Sequence, residues 1–142
     1  MSSIHLTSEQ AVLAAASRLV AAFASHDTHA YFDAFAPEAS FVFYTHTTVL
    51  STRSAYEVLW AAWERDLGFH IVSCASHEPV VQVLGEAAVF YHRVHTVVRM
   101  HEGEVALDER ETIIFQRNAH GHWLAVHEHL SPLAATPEAG AA

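Results

Sequence analysis

Two glutamates and a histidine stand where an alternating chain would place only apolar groups. In His122–Pro132, Leu124, Val126, Glu128 and Leu130 fall on one side of an extended strand, and Trp123, Ala125, His127, His129 and Ser131 on the other. The same parity groups Leu107, Glu109, Glu111, Ile113 and Phe115, and also Phe90, His92, Val94, Thr96 and Val98. With Glu102-Gly103 and Ala119-His120 as two-residue turns, Val94 faces Glu111, Thr96 faces Glu109, and Glu111 faces Glu128. Carboxyls directly opposite across a sheet lie roughly 5 Å apart. Both resist ionising together in a poorly solvated space, so one should hold a proton well above pH ~4.3. Such a pair is a natural general acid and base for proton transfer next to a carbonyl. His92, diagonal to Glu111, would orient it or share its proton.

Other residues could complete a site. Tyr44 and His46 share one face of an early strand and would polarise a ligand oxygen. Tyr56, Trp60, Trp63, Phe90, Ile113 and Leu130 would form a wall for a flat ligand. Two structural alternatives stand beside these readings. Arg53, Arg65 or a backbone group could satisfy the glutamates, and Trp60 and Trp63 could be plain core on one helix stripe. His127 and His129 form a possible metal pair with His95, but Arg93 and Arg110 on the same side oppose a cation. A pocket metal on His92, Glu111 and Glu128 is a further alternative. The expectation is no metal and no organic cofactor, for the chain has no Gly-rich phosphate loop, Cys-x-x-Cys pair or Gly-x-Ser-x-Gly elbow.

Helices first and strands second should carry these groups. Thr7 and Gln10 make a capping box for a helix from about Ser8 to Ser25, with Val12, Ala16, Leu19, Val20 and Phe23 at helical spacing. Asp27 or Thr28 caps a short helix through Phe35, which Pro37 helps end. A strand follows over Ala39 to Thr47. Ser51 caps a third helix to about Leu67, stopped by Gly68. Phe69 to Val83, Ala87 to Met100, Val105 to Arg117 and His122 to Leu130 read as an antiparallel meander, bent at Pro79. The result is one α+β domain over residues 1–142, with its ordered core at about 7–132 and a flexible tail at 133–142.

Composition narrows the partners. The 142 residues carry a formal charge of −9, and all seven basic residues are arginines, so nucleic acid is not an expected partner. No apolar run is long enough to cross a bilayer, and Arg18 interrupts the Ala11–Ala24 stretch, against a signal peptide. The single Cys74 fits a reducing cytoplasm. The 13 histidines make solubility dependent on pH.

The element order and the ending Trp-x-x-Val-His-x-His-x-Ser-Pro (Trp123 to Pro132) resemble the SnoaL-like branch of the nuclear transport factor two-like superfamily, over roughly Thr7 to Pro132. The resemblance implies a cone, a strongly curved mixed or antiparallel sheet with helices in its concave side and a pocket at one end. It implies homodimers, here through the outer sheet face. Relatives include ketosteroid isomerases, polyketide cyclases, dehydratases, epoxide hydrolases and the non-catalytic association domain of calmodulin-dependent kinase. The metal-free carbonic anhydrases of this fold place His and Ser where this chain has Glu128 and Leu130. The kinase association domain has Arg at the Leu130 position, and the Asp bases of the isomerases have no counterpart here. None of those activities transfers residue by residue. The reading is a cofactor-independent isomerase, cyclase or dehydratase acting on an apolar carbonyl compound. The alternatives are a non-catalytic ligand-binding or dimeric module, and a His/Glu metal-dependent hydrolase.

Overall fold

The computed structural model describes residues 6–133. The expected tail lies, from residue 134 on, outside the described residues. The first helix, α1 (Ser8–Ala24), has the expected capping box. Gln10 N donates to Thr7 Oγ1 at 3.1 Å, and Thr7 N donates to Gln10 Oε1 at 3.0 Å. Its buried stripe is Val12, Ala15, Ala16 and Leu19. The second helix, α2 (Thr28–Asp33), is capped by Asp27 and stops short of Phe35. Strand β1 (Phe35–Phe43) therefore begins earlier than expected and ends before Tyr44. Pro37 lies inside it, which is tolerated because β1 is a sheet edge. Thr52, rather than Ser51, caps α3 (Arg53–Leu67) by accepting from Ala55 N at 3.1 Å. Gly68 closes that helix in the left-handed conformation at φ 67°.

Four long strands follow, β2 (His70–Leu84), β3 (Ala87–Met100), β4 (Gly103–Arg117) and β5 (Trp123–Pro132). The sheet order is β1-β5-β4-β3-β2, with β1 parallel to β5 and every other pair antiparallel. Helix α1 packs on β2, β3 and β5, and α3 packs on β1. The architecture is α+β, helices against a mixed sheet that does not close. Between helices and sheet lies an aromatic core in which Phe35, Phe41, Trp60 and Phe115 are at most 1 % exposed. Among the described residues no helix is long and apolar enough to cross a membrane.

The register departs from expectation in two places. Met100 pairs with Gly103, so His101-Glu102 forms the β3–β4 turn. His92 then faces Glu111, and Val94 faces Glu109. The displacement is two residues, an even number, so every side chain keeps its face. Between β4 and β5, Ile114 pairs with His127 but Phe115 pairs with Ala125, leaving Val126 as a bulge. The turn itself is displaced by one position, with Arg117 paired to Trp123, and the bulge adds a second, so Glu128 faces Ile113 and Glu111 faces Leu130, rather than each other. Before the bulge the parity of β5 inverts. Trp123 and Ala125 enter the core, while Leu124 and Val126, expected inside, are only partly buried.

Candidate active site

A cavity of about 310 Å³ lies between the helices and the concave side of the sheet. Its walls are mainly apolar, with Phe23, Tyr56, Trp63, Phe69 and Leu130 among them. Three carboxylates face it, Glu109, Glu111 and Glu128, and no basic side chain does among the described residues. Glu128 is 3 % exposed and Glu109 5 %.

A continuous set of polar contacts runs behind this wall. Ser76 Oγ lies 2.6 Å from His92 Nδ1, and His92 Nε2 lies 2.7 Å from Glu111 Oε1. Glu111 and Glu128 are diagonal neighbours on adjacent strands, and the charge of Glu111 acts on Glu128. Tyr31 Oη donates to Glu128 Oε1 at 3.4 Å and lies 3.0 Å from Tyr56 Oη. Separately, Tyr44 Oη donates to Glu109 Oε2 at 2.6 Å. The elements make these meetings unavoidable. His92 and Glu111 are direct cross-strand partners, Glu128 is diagonal to Glu111, and Tyr31 and Tyr56 approach from α2 and α3.

Burial is the main force on the acids. It pushes Glu128 well above the usual carboxylate range, and Glu111 and Glu109 push the same way, against the Tyr31 hydroxyl. Glu109 is also raised, by burial first, with the Tyr44 hydrogen bond opposing. Burial and then Glu128 hold the Tyr31 and Tyr56 hydroxyls protonated. Burial lifts Tyr44 to about 12 and the Cys74 thiol to about 11, so Cys74 is no ready nucleophile. The arrangement suits one proton shared between two acids beside mainly apolar walls.

Of the residues singled out from sequence, Glu111, Glu128, Tyr56, Trp63 and Leu130 line the cavity. His92 stands one layer behind, its side chain fully buried and its ring 4.6 Å from Phe90. Ile113 and Trp60 are buried in the core, outside the cavity wall. Tyr44 and His46 are placed differently from expectation. Because β1 ends at Phe43, Phe43 and Thr45 reach the cavity, Tyr44 is 44 % exposed, and His46 falls in the following turn. The arginines do not satisfy the glutamates. Arg53 binds Phe35 O and Glu57, and Arg65 binds Asp66. His127 accepts or donates to Ser40 Oγ at 2.8 Å on the outer face. Among the described residues no three His, Cys, Asp or Glu side chains are grouped to hold a metal ion.

Three contributors escaped the sequence reading. Glu109 has the right parity, but its expected partner Thr96 carries no charge that would mark it as one of a pair, and its actual partner is Val94. Tyr31 sits on a helix of six residues, too short for its periodicity to speak. Ser76 shares the parity of Cys74, but the β2 bulge hides which partner it meets.

The chain belongs to the SnoaL-like domain family, whose model matches residues 12–135. No curated protein matches it. Among solved structures it is similar to the CaMKII hub of S. rosetta, at 20% identity and TM-score 0.74 over 92% of this chain and 100% of that one. It is also similar to a ketosteroid isomerase-like protein from Erwinia carotovora atroseptica, at 14% identity and TM-score 0.76 over 92% and 100%. A third is an NTF2-like protein of unknown function in nutrient uptake from Rhodospirillum rubrum, at 20% identity and TM-score 0.74 over 87% and 98%. At these identities the likeness defines the nuclear transport factor two-like cone fold.

Proposed function

We propose that this protein is a cofactor-independent enzyme that moves a proton next to the carbonyl of a small apolar compound, by isomerisation, cyclisation or dehydration. The observation that carries the reading is the pair Glu111 and Glu128, diagonal neighbours on the wall of an apolar cavity, with Glu128 held towards its neutral form. Glu111, as carboxylate, takes the proton from the carbon beside the carbonyl. With substrate bound, the single O–H of neutral Glu128 turns from Glu111 to the oxygen on which negative charge develops. In an isomerisation Glu111 returns the same proton to another carbon, and both acids recover their starting state. His92 orients Glu111, and Tyr31 with Tyr56 fixes Glu128. A cavity of about 310 Å³ sits at the small end of ligand pockets.

The test is the conversion of a β,γ-unsaturated cyclic ketone, such as 3-cyclohexenone, to its conjugated isomer, followed by the enone absorbance. Glu111→Gln and Glu128→Gln should each lose turnover while keeping the fold. An undiminished rate in either variant removes the mechanism.

A second reading, assembly, is favoured by the outer sheet face. Val80 and Tyr91 pair there and are 38 % and 41 % exposed, and Leu84 is 65 % exposed. The fold-level likeness to a hub protein supports the same reading. We infer a homodimer joined through that face, with the cavity of each copy intact, residing in the cytoplasm, where the lone thiol Cys74 stays reduced.

A further inference from the structure

An acid pair enclosed by apolar walls exchanges protons with water only along a path of hydrogen-bonding groups. Once a ligand fills the cavity, its mouth no longer provides one. The structure contains such a path on the opposite side of the wall. His92 has no exposed side-chain surface, yet both of its ring nitrogens are engaged, Nε2 with Glu111 and Nδ1 with Ser76. Ser76 is exposed on β2, the edge strand opposite β1, and is not part of the cavity wall.

The local backbone explains why Ser76 reaches the ring. Arg93 pairs with His77 and Tyr91 pairs with Val80, so Glu78 and Pro79 bulge out where His92 would otherwise have a β2 partner. Glu78 takes φ 53°, which a non-glycine residue adopts at a cost of about 1–2 kcal/mol. Burying a histidine beside that gap leaves Nδ1 facing a single side chain, and it is a hydroxyl. A carboxylate only accepts, so with Glu111 as carboxylate the imidazole proton sits on Nε2 and Nδ1 accepts from Ser76.

We propose that Ser76 is the solvent port of the acid pair, and that His92 carries protons between Ser76 and Glu111. This rests on the acid–base reading of Glu111 and Glu128. From this tautomer the inward leg comes first: water protonates Ser76 Oγ as the Ser76 hydroxyl proton passes to Nδ1, and Nε2–H passes its own proton to the Glu111 carboxylate, leaving His92 protonated on Nδ1. The outward leg runs the same transfers in reverse. Over the two legs His92 returns to its first tautomer and no proton is gained or lost. Ser76 is thus a positioning and relay residue for the pair, at a distance from the reacting carbon.

The experiment follows the ring N–H of His92 in the full chain labelled with 15N-histidine, measuring its exchange with water by saturation transfer. Ser76→Val fills the same space as threonine without a hydroxyl, whereas Ser76→Thr keeps one. Ser76→Val should slow exchange by on the order of tenfold or more, because exchange then requires local opening of the sheet, and Ser76→Thr should restore it. Exchange in Ser76→Val as fast as in the unmodified protein, or a failure of Ser76→Thr to restore a slowed rate, overturns the port. The ring measurement needs no ketone turnover, so its failure is distinct from that of the Glu111→Gln test.

Discussion

Glu128 faces Ile113 across the β4–β5 ladder, and its carboxyl reaches diagonally to Glu111. The diagonal leaves each acid a different neighbourhood. Glu111 receives His92, and Glu128 receives the tyrosine pair. Unequal surroundings let two like groups take opposite parts in one reaction.

Stability should record the buried acid. Glu128 is raised in the folded state, so its favourable contribution is complete below the unfolded value near 4.3 and disappears as pH climbs through the folded value. Across that window the unfolding free energy should fall by up to about 1.4 kcal/mol per pH unit for the one proton. Glu128→Gln should flatten this fall, leaving the variant more stable than the parent at pH 8. Urea denaturation at pH 5 and pH 8 measures it, and equal slopes in both proteins would refute the assignment.

Turnover of the cyclic ketone should drop about 10²–10⁴-fold in Glu111→Gln, the range for losing a positioned acid or base. Circular dichroism of the same sample should match the parent, since an amide fills the same space.

Trp60 is 1 % exposed, and among the described residues its indole N–H has no hydrogen-bond partner. Trp60→Ala should cost about 3–5 kcal/mol through the cavity it leaves. Trp60→Phe should cost far less, because it also removes an unpaired buried donor worth about 1–3 kcal/mol. Chemical denaturation of both variants decides the point, and a similar loss in the two would contradict it.

Gly68 ends α3 at φ 67°, and a Cβ there would meet His101 Nδ1 at 2.5 Å. Gly68→Ala should lose about 1–2 kcal/mol from the left-handed backbone, read as a lower melting temperature.

For the outer face, Val80→Arg with Tyr91→Glu should convert the proposed dimer to a monomer in light scattering. An unchanged mass in the double variant would place the interface elsewhere.

Much of this architecture was legible because alternation is a local property. The inward set on β3 and β4, from Phe90 to Val98 and Leu107 to Phe115, follows from parity alone and survives any even displacement. Partnership is not local. It depends on which residues form each turn, and moving one turn from Glu102-Gly103 to His101-Glu102 gave His92 a new partner. The displaced β4–β5 turn and the Val126 bulge leave no composition signal, yet together they turn Trp123 inward and move Glu128 off Glu111. Tyr44 and His46 were placed by extending a strand that ends at Phe43. The β-branched and aromatic residues around that end do not reveal where pairing stops.

The parallel pairing of β1 with β5 joins an early segment to the one that follows every other strand. During synthesis the helices and β1 must therefore wait, with their greasy surfaces uncovered, until β5 emerges from the ribosome. Glu128 rides on that strand, so no partly made chain can contain the acid pair. Such long-range closure slows folding and exposes the nascent chain to aggregation, and the two acids meet only once β5 has docked.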